Sequence, residues 1–233
     1  MKKKICIYCG ANATTRDHVP PRLLLERPFP RNLSPVPSCL NCNQGASRDE
    51  EYFLALIAQT SPAPYLNAKL EEGGTLYRAF VHSPKFEQRF LNSLIVDEAT
   101  GLPYLNLELD ELRRVSRVVA KIALGLFNLK YGWTPKPESV RQANLYPYGF
   151  QDDRPTPYFI ATFTERFQKK HWQTIQPSVF SYIFMRDPKH SGTILCIMRF
   201  HETFWGVVHL PHRQDRRALN KRQLRLFESE ILY

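Results

Sequence analysis

The chain has 233 residues, and its apolar fraction of 43% argues for a folded protein and against disorder. Its net charge of +10 and pI near 9.5 favour a polyanionic partner, because each Lys or Arg set against a phosphate can release condensed counterions. No apolar run approaches the ~20 residues that a membrane span needs, and the basic start Met1-Lys2-Lys3-Lys4 has no apolar stretch behind it. We therefore expect a cytoplasmic protein with no signal peptide and no membrane partner.

The first elements are short. Lys3 to Tyr8 reads as a strand, with Gly10 supplying the turn after it, and Ala13 to Val19 reads as a second extended piece that Pro20-Pro21 terminates. Leu23 to Pro30 is a loop, with room for one helical turn at Leu23 to Glu26. Asn32 to Pro37 alternates apolar and polar residues as a strand does, and Leu40 to Ala46 forms a helical turn carrying Asn43. Ser47-Arg48-Asp49-Glu50 matches the capping-box pattern and predicts a helix to about Gln59, with Tyr52, Leu56 and Gln59 on one stripe beside Phe53, Ala55 and Ile57. Ser61-Pro62-Ala63-Pro64 breaks this pattern and suggests a boundary between residues 1–60 and 61–233.

After a further break at Gly73-Gly74, Pro84 to Leu94 reads as helix and Tyr104 to Leu109 as a short strand. Asp110 to Tyr131 carries the longest helical signal, with Leu112, Val115, Val119, Ile122, Leu126 and Leu129 in register, Asp110 as N-cap and Gly132 as terminator. Arg113, Arg114, Arg117 and Lys121 fall off that stripe, on a face that is either simply solvated or turned to phosphates. Tyr158–Glu165, Val179–Met185, Thr193–Phe200 and Phe204–Leu210 are rich in β-branched and aromatic residues, and Asp187–Gly192 and His201-Glu202 look like turns; together they predict an antiparallel sheet. Arg213 to Ile231 reads as a basic amphipathic helix, with Arg217 and Lys221 among its cations. The expected class is α+β: a small N-terminal module followed by a mixed helical and antiparallel β domain.

Five cysteines are present, and four of them form two C-x-x-C pairs, Cys6/Cys9 and Cys39/Cys42. Two such pairs can each turn two thiolates onto one ion, which predicts a structural zinc in a reducing compartment, and four thiolates leave no coordination position open to water. Cys196 lies in an apolar, strand-like run and reads as a buried, inert thiol. Between the pairs stand Asp17, which offers a carboxylate, and His18, whose ordinary pKa near 6.5 suits a base at neutral pH. Adjacent strand residues point to opposite sides, so Asp17 and His18 share a cavity only if the backbone bends between them.

Taken together, Cys6-x-x-Cys9-Gly10, Asp17-His18-Val19-Pro20-Pro21, Asn32-Leu33 and Cys39-x-x-Cys42-Asn43 resemble the zinc-ribbon type of HNH (ββα-metal, His-Me finger) endonucleases over the first fifth of the chain. The resemblance implies a metal-dependent nuclease in which His18 is the general base, Asn32 fixes it, and Asp17 and Asn43 bind a catalytic Mg²⁺ or Mn²⁺. Relatives often carry a Lys a few residues beyond the last Asn, but this chain has Gln44-Gly45-Ala46-Ser47-Arg48, so Arg48 or Lys3 would take the phosphate contact. Double-stranded DNA is the expected partner, with Arg48, Arg113, Arg117, Arg217 and Lys221 as candidate phosphate contacts. The alternatives are a zinc-ribbon nucleic-acid-binding or regulatory protein without turnover, and an RNA-cleaving nuclease or toxin. The oligomeric state is open, a homodimer being one option.

Overall fold

A computed structural model describes residues 4–61, 63–96, 98, 103–140, 142–147, 172–186 and 193–211. The fold is α+β, with helices and antiparallel sheets. Strands β1 (Thr15–Val19) and β2 (Ser34–Ser38) pair antiparallel, and the short helix α1 (Leu40–Gln44) follows. The prolines of β2 set the ladder. Pro35 stands opposite His18 and Pro37 opposite Arg16. Neither can donate an N–H, so both belong to non-hydrogen-bonded pairs, and the ladder falls to the alternate pairs Thr15–Ser38, Asp17–Val36 and Val19–Ser34. The expected strand at Lys3 to Tyr8 is reduced to one bridge between Ile5 and Asn12, and the backbone N–H of Ile7 reaches Pro37 O at 3.1 Å.

Helix α2 (Ser47–Thr60) is the expected one, but its start differs. Ser47 is the first helical residue rather than the cap, its hydroxyl donates to Gln44 O at 2.7 Å, and Glu50 turns inward to an ion pair instead of closing a capping box. Every residue from Tyr52 to Ala58 is buried, so the helix has no solvent side over two turns. Three shorter helices follow: α3 (Pro64–Leu70), α4 (Thr75–His82) and α5 (Pro84–Asn92). The breaks expected at Ser61–Pro64 and Gly73-Gly74 are where α3 and α4 begin. A minimal sheet pairs β3 (Leu94–Val96) with β4 (Pro103–Leu105), so the strand expected at Tyr104 to Leu109 is shorter than its pattern.

Helix α6 (Leu109–Tyr131) is the spine. Glu108, not Asp110, occupies the N-cap position, and Gly132 closes the helix in the left-handed conformation (φ 70°) as its sequence position predicts. A Cβ placed on Gly125 would lie 2.5 Å from Val19 Cγ2, so only glycine lets α6 lie this close to β1. On its other side α6 meets a five-stranded antiparallel sheet of order β5-β9-β8-β7-β6, formed by Gln142–Pro147, Phe204–Pro211, Thr193–Phe200, Phe180–Arg186 and Gln173–Gln176 respectively. Three of its strands match the expected meander; the strand expected at Tyr158–Glu165 and the helix at Arg213–Ile231 lie outside the described residues.

The inner face of this sheet is aromatic. Phe53 of α2 packs edge-on against Phe200 at 5.0 Å between ring centroids, and Phe127 of α6 against Phe184 at 6.0 Å. Gly206 permits the same close approach that Gly125 does, since a Cβ there would stand 2.9 Å from Val119 Cγ1. The apolar cluster runs without interruption from Cys6, Tyr8, Val19 and Val36 through α2 and α6 to Phe200 and Leu210. The expected boundary at residue 60 is therefore a break between two helices inside one core. No helix among the described residues is long and apolar enough to cross a membrane.

Candidate functional site

The two C-x-x-C pairs converge. The four Sγ atoms of Cys6, Cys9, Cys39 and Cys42 all lie within 4.8 Å of one another, and Cys9 and Cys39 approach to 3.6 Å. A tetrahedral zinc with bonds of about 2.3 Å holds its sulfurs about 3.8 Å apart, so the cluster could hold a structural metal such as zinc. The local backbone explains the convergence. Gly10 (φ 78°) and the Gly10 N–H to Cys6 O bond at 3.0 Å fold the first knuckle. In the second, Cys39 is the N-cap of α1 and its Sγ accepts from the Cys42 N–H at 3.4 Å. Burial opposes ionisation of Cys6, but hydrogen bonds from the backbone of Cys39, Cys9 and Tyr8 outweigh it and bring the thiol down to about 6. Burial, then hydrogen bonds to the neighbouring thiols and the Cys6 charge, push Cys42 up. The Cys6 thiolate thus forms readily, while Cys42 needs a cation to ionise.

His18 and Asp17 separate. β1 is regular in register, so the bend that would let them share a cavity does not occur. His18 stays half-buried on the outer side, where burial and then the charge of Arg22 push its pKa below the ordinary value. It is therefore neutral at pH 7 and able to accept a proton. Asp17 is 5% exposed and faces α6, where its Oδ2 sits 2.9 Å from Lys121 Nζ. Lys121 also holds Glu50 Oε1 at 2.8 Å. Asn43 donates its amide to Thr15 Oγ1 at 3.1 Å and to Arg16 O at 3.3 Å.

A hard divalent cation requires near-octahedral oxygen ligation and usually keeps several waters. Asp17 as it stands does not fit that demand, since its carboxylate is buried against an ammonium, and Asn43, whose amide nitrogen is committed to β1, would offer one oxygen alone.

The remaining candidates scatter. Asn32 is exposed and donates to Thr174 O at 3.5 Å, not to His18. Arg48 is exposed near the start of α2. Arg113 pairs with Asp110 at 3.3 Å within α6. Arg117 is not a free phosphate contact: although 63% of its side chain is exposed, its guanidinium donates twice to Asp49 Oδ2, at 3.1 and 2.9 Å. Arg217 and Lys221 lie outside the described residues, as does Lys3. Cys196 is fully buried, and burial pushes its thiol up, as expected of an inert sulfur.

No family model, curated protein or solved structure matches this chain.

Two parts of the geometry escape the sequence. The first is the pairing of Asp49 and Glu50 with Arg114, Arg117 and Lys121. The signal was present: two acids open α2, and the three cations recur along one face of α6 at helical spacing. The second is His201, buried in the β8–β9 turn. Its Nε2 lies 2.9 Å from Leu24 O, a pure acceptor, so Nε2 carries the proton and Nδ1 accepts from the Tyr65 hydroxyl. Burial drives His201 down to about 4. An unfolded His titrates near 6.5, so between these values the unfolded chain binds more protons. The stability that neutral His201 contributes is intact above about pH 6.5 and is lost as pH falls towards 4, by up to about 3 kcal/mol. Denaturant midpoints across that range should fall in wild type and flatten in His201→Gln; parallel curves would refute the assignment.

Proposed function

We propose that this chain acts on nucleic acid as a phosphodiesterase of the HNH type, with His18 as its general base. The observation that carries the reading is a neutral, half-buried imidazole on the outer side of a hairpin adjoining a four-thiol cluster, with the charges of Arg22 and Arg16 acting on it. The zinc, held by Cys6, Cys9, Cys39 and Cys42, fixes the hairpin and takes no part in bond making. His18 removes a proton from water, the oxygen attacks phosphorus, and the P–O3′ bond breaks with the leaving oxygen taking a proton from solvent. Arg16 and Arg22 would meet the phosphate oxygens. The resemblance implies a Mg²⁺ or Mn²⁺ at Asp17 and Asn43, which the burial of Asp17 against Lys121 does not accommodate.

The test is cleavage of plasmid, single-stranded DNA and RNA by wild type and His18→Ala, with zinc content and circular dichroism as controls. Loss of a general base typically costs ~10²–10⁴ in rate, so the variant should lose nearly all cleavage and keep zinc and fold. Equal cutting by both proteins would end the assignment. The closure of Asp17 by Lys121 favours a second reading, a zinc-stapled nucleic-acid-binding module without turnover, and binding with no cleavage by wild type on any substrate would select it.

A further inference from the structure

Lys121 stands at the meeting point of three elements. Its ammonium is 2.9 Å from Asp17 of β1 and 2.8 Å from Glu50 of α2, while the lysine itself belongs to α6. All three side chains are buried, with 11%, 7% and 11% exposed for Lys121, Asp17 and Glu50. The ring of Tyr8 lies 5.7 Å from the ammonium and adds a further favourable face.

Charge in this region balances. Asp49, next to Glu50, meets Arg114 at 3.5 Å and Arg117 at 2.9 Å, so three acids face three bases across β1, α2 and α6. The lysine is also held in place. Gly125, one helical turn beyond it, lies against Val19 with no space for even a Cβ, which fixes this part of α6 to the end of β1. The ammonium cannot swing out without leaving two carboxylates buried together.

We infer that Lys121 is a built-in cation that closes Asp17 and Glu50 to divalent metals, so that chemistry at His18 needs no added Mg²⁺ or Mn²⁺. The second half of this statement rests on the phosphodiesterase reading, while the closure of the carboxylates does not. A positive charge already sits at the carboxylate oxygen a metal would use, and a dication beside it would meet repulsion as well as lost hydrogen bonds.

The test is a titration of the zinc-loaded, full-length protein with Mn²⁺, read by the electron paramagnetic resonance signal of the free ion. Wild type should leave Mn²⁺ free. Lys121→Met should take up Mn²⁺ stoichiometrically, and Lys121→Met/Asp17→Asn should lose that uptake. Stoichiometric binding by wild type that disappears in Asp17→Asn would overturn the inference. So would a folded Lys121→Met that binds no Mn²⁺, because Lys121 would then not be what withholds the carboxylates. If Lys121→Met folds poorly, the wild-type titration still decides. Cleavage by wild type that strictly requires added Mg²⁺ also overturns it. Absence of cleavage under every condition defeats the phosphodiesterase reading alone and leaves the Mn²⁺ result standing.

Discussion

Cys39→Ser should abolish zinc binding at the four-thiol cluster, which could hold such a metal, and unfold the N-terminal hairpin. Cys39 both caps α1, its Sγ accepting from the Cys42 N–H, and lies 3.6 Å from Cys9. A two-stranded sheet of five residues per strand has little stability of its own in water. A structural zinc contributes about 10–16 kcal/mol of binding free energy at neutral pH, which makes it the largest single term available to this region. Val19, Val36 and Tyr8 still pack on the core, so the loss should be graded along the chain. Hydrogen exchange should show lost protection in β1, β2 and α1, and retained protection in β7, β8 and β9. Elemental analysis should fall from about one zinc per chain to none. A variant that keeps its metal and its melting temperature would show that the cluster is not a zinc site.

Lys121→Ala is the second large effect. It leaves Asp17 and Glu50 buried and facing each other with no cation between them. Breaking a buried pair in this way typically costs about 3–5 kcal/mol. Burial already pushes the Glu50 carboxyl up, against the opposing pull of Lys121, and without the lysine only the upward push remains. The variant's folded-state value then lies above the unfolded one, so its penalty is greatest at neutral pH and relaxes as acid protonates the carboxylate. Arg113→Ala is the control. Its pair with Asp110 is on the surface, and exposed pairs are worth ~0–1 kcal/mol. Urea melts at pH 7 and pH 5 should separate the two substitutions, and equal midpoints would mean that the buried cluster contributes nothing.

What the sequence makes legible is local. The cysteine pairs announce the cluster because their spacing alone turns two thiols to one side. Gly132 announces the end of α6, and the β-branched runs announce β7, β8 and β9. What it hides is which partner a polar side chain finds across the fold. Glu50 fits a capping box by spacing, yet its carboxylate is claimed by Lys121, 71 residues later. Asn32 lies where a residue that positions His18 would be sought, yet it reaches Thr174. Asp17 and His18 adjoin in the motif, yet strand geometry sends one inward and the other outward. In each case a tertiary contact overrides a pattern that spans only a few positions.

The all-round burial of α2 also limits how the chain can be divided. Its residues Tyr52 to Ala58 touch the hairpin side, the short helices and the aromatic sheet at once, and they have no polar face to offer water. A fragment ending near residue 60 would expose that whole surface and sacrifice Lys121 as well. The four-cysteine head is therefore not a transferable cassette: moved onto another scaffold, it would arrive without the floor it stands on.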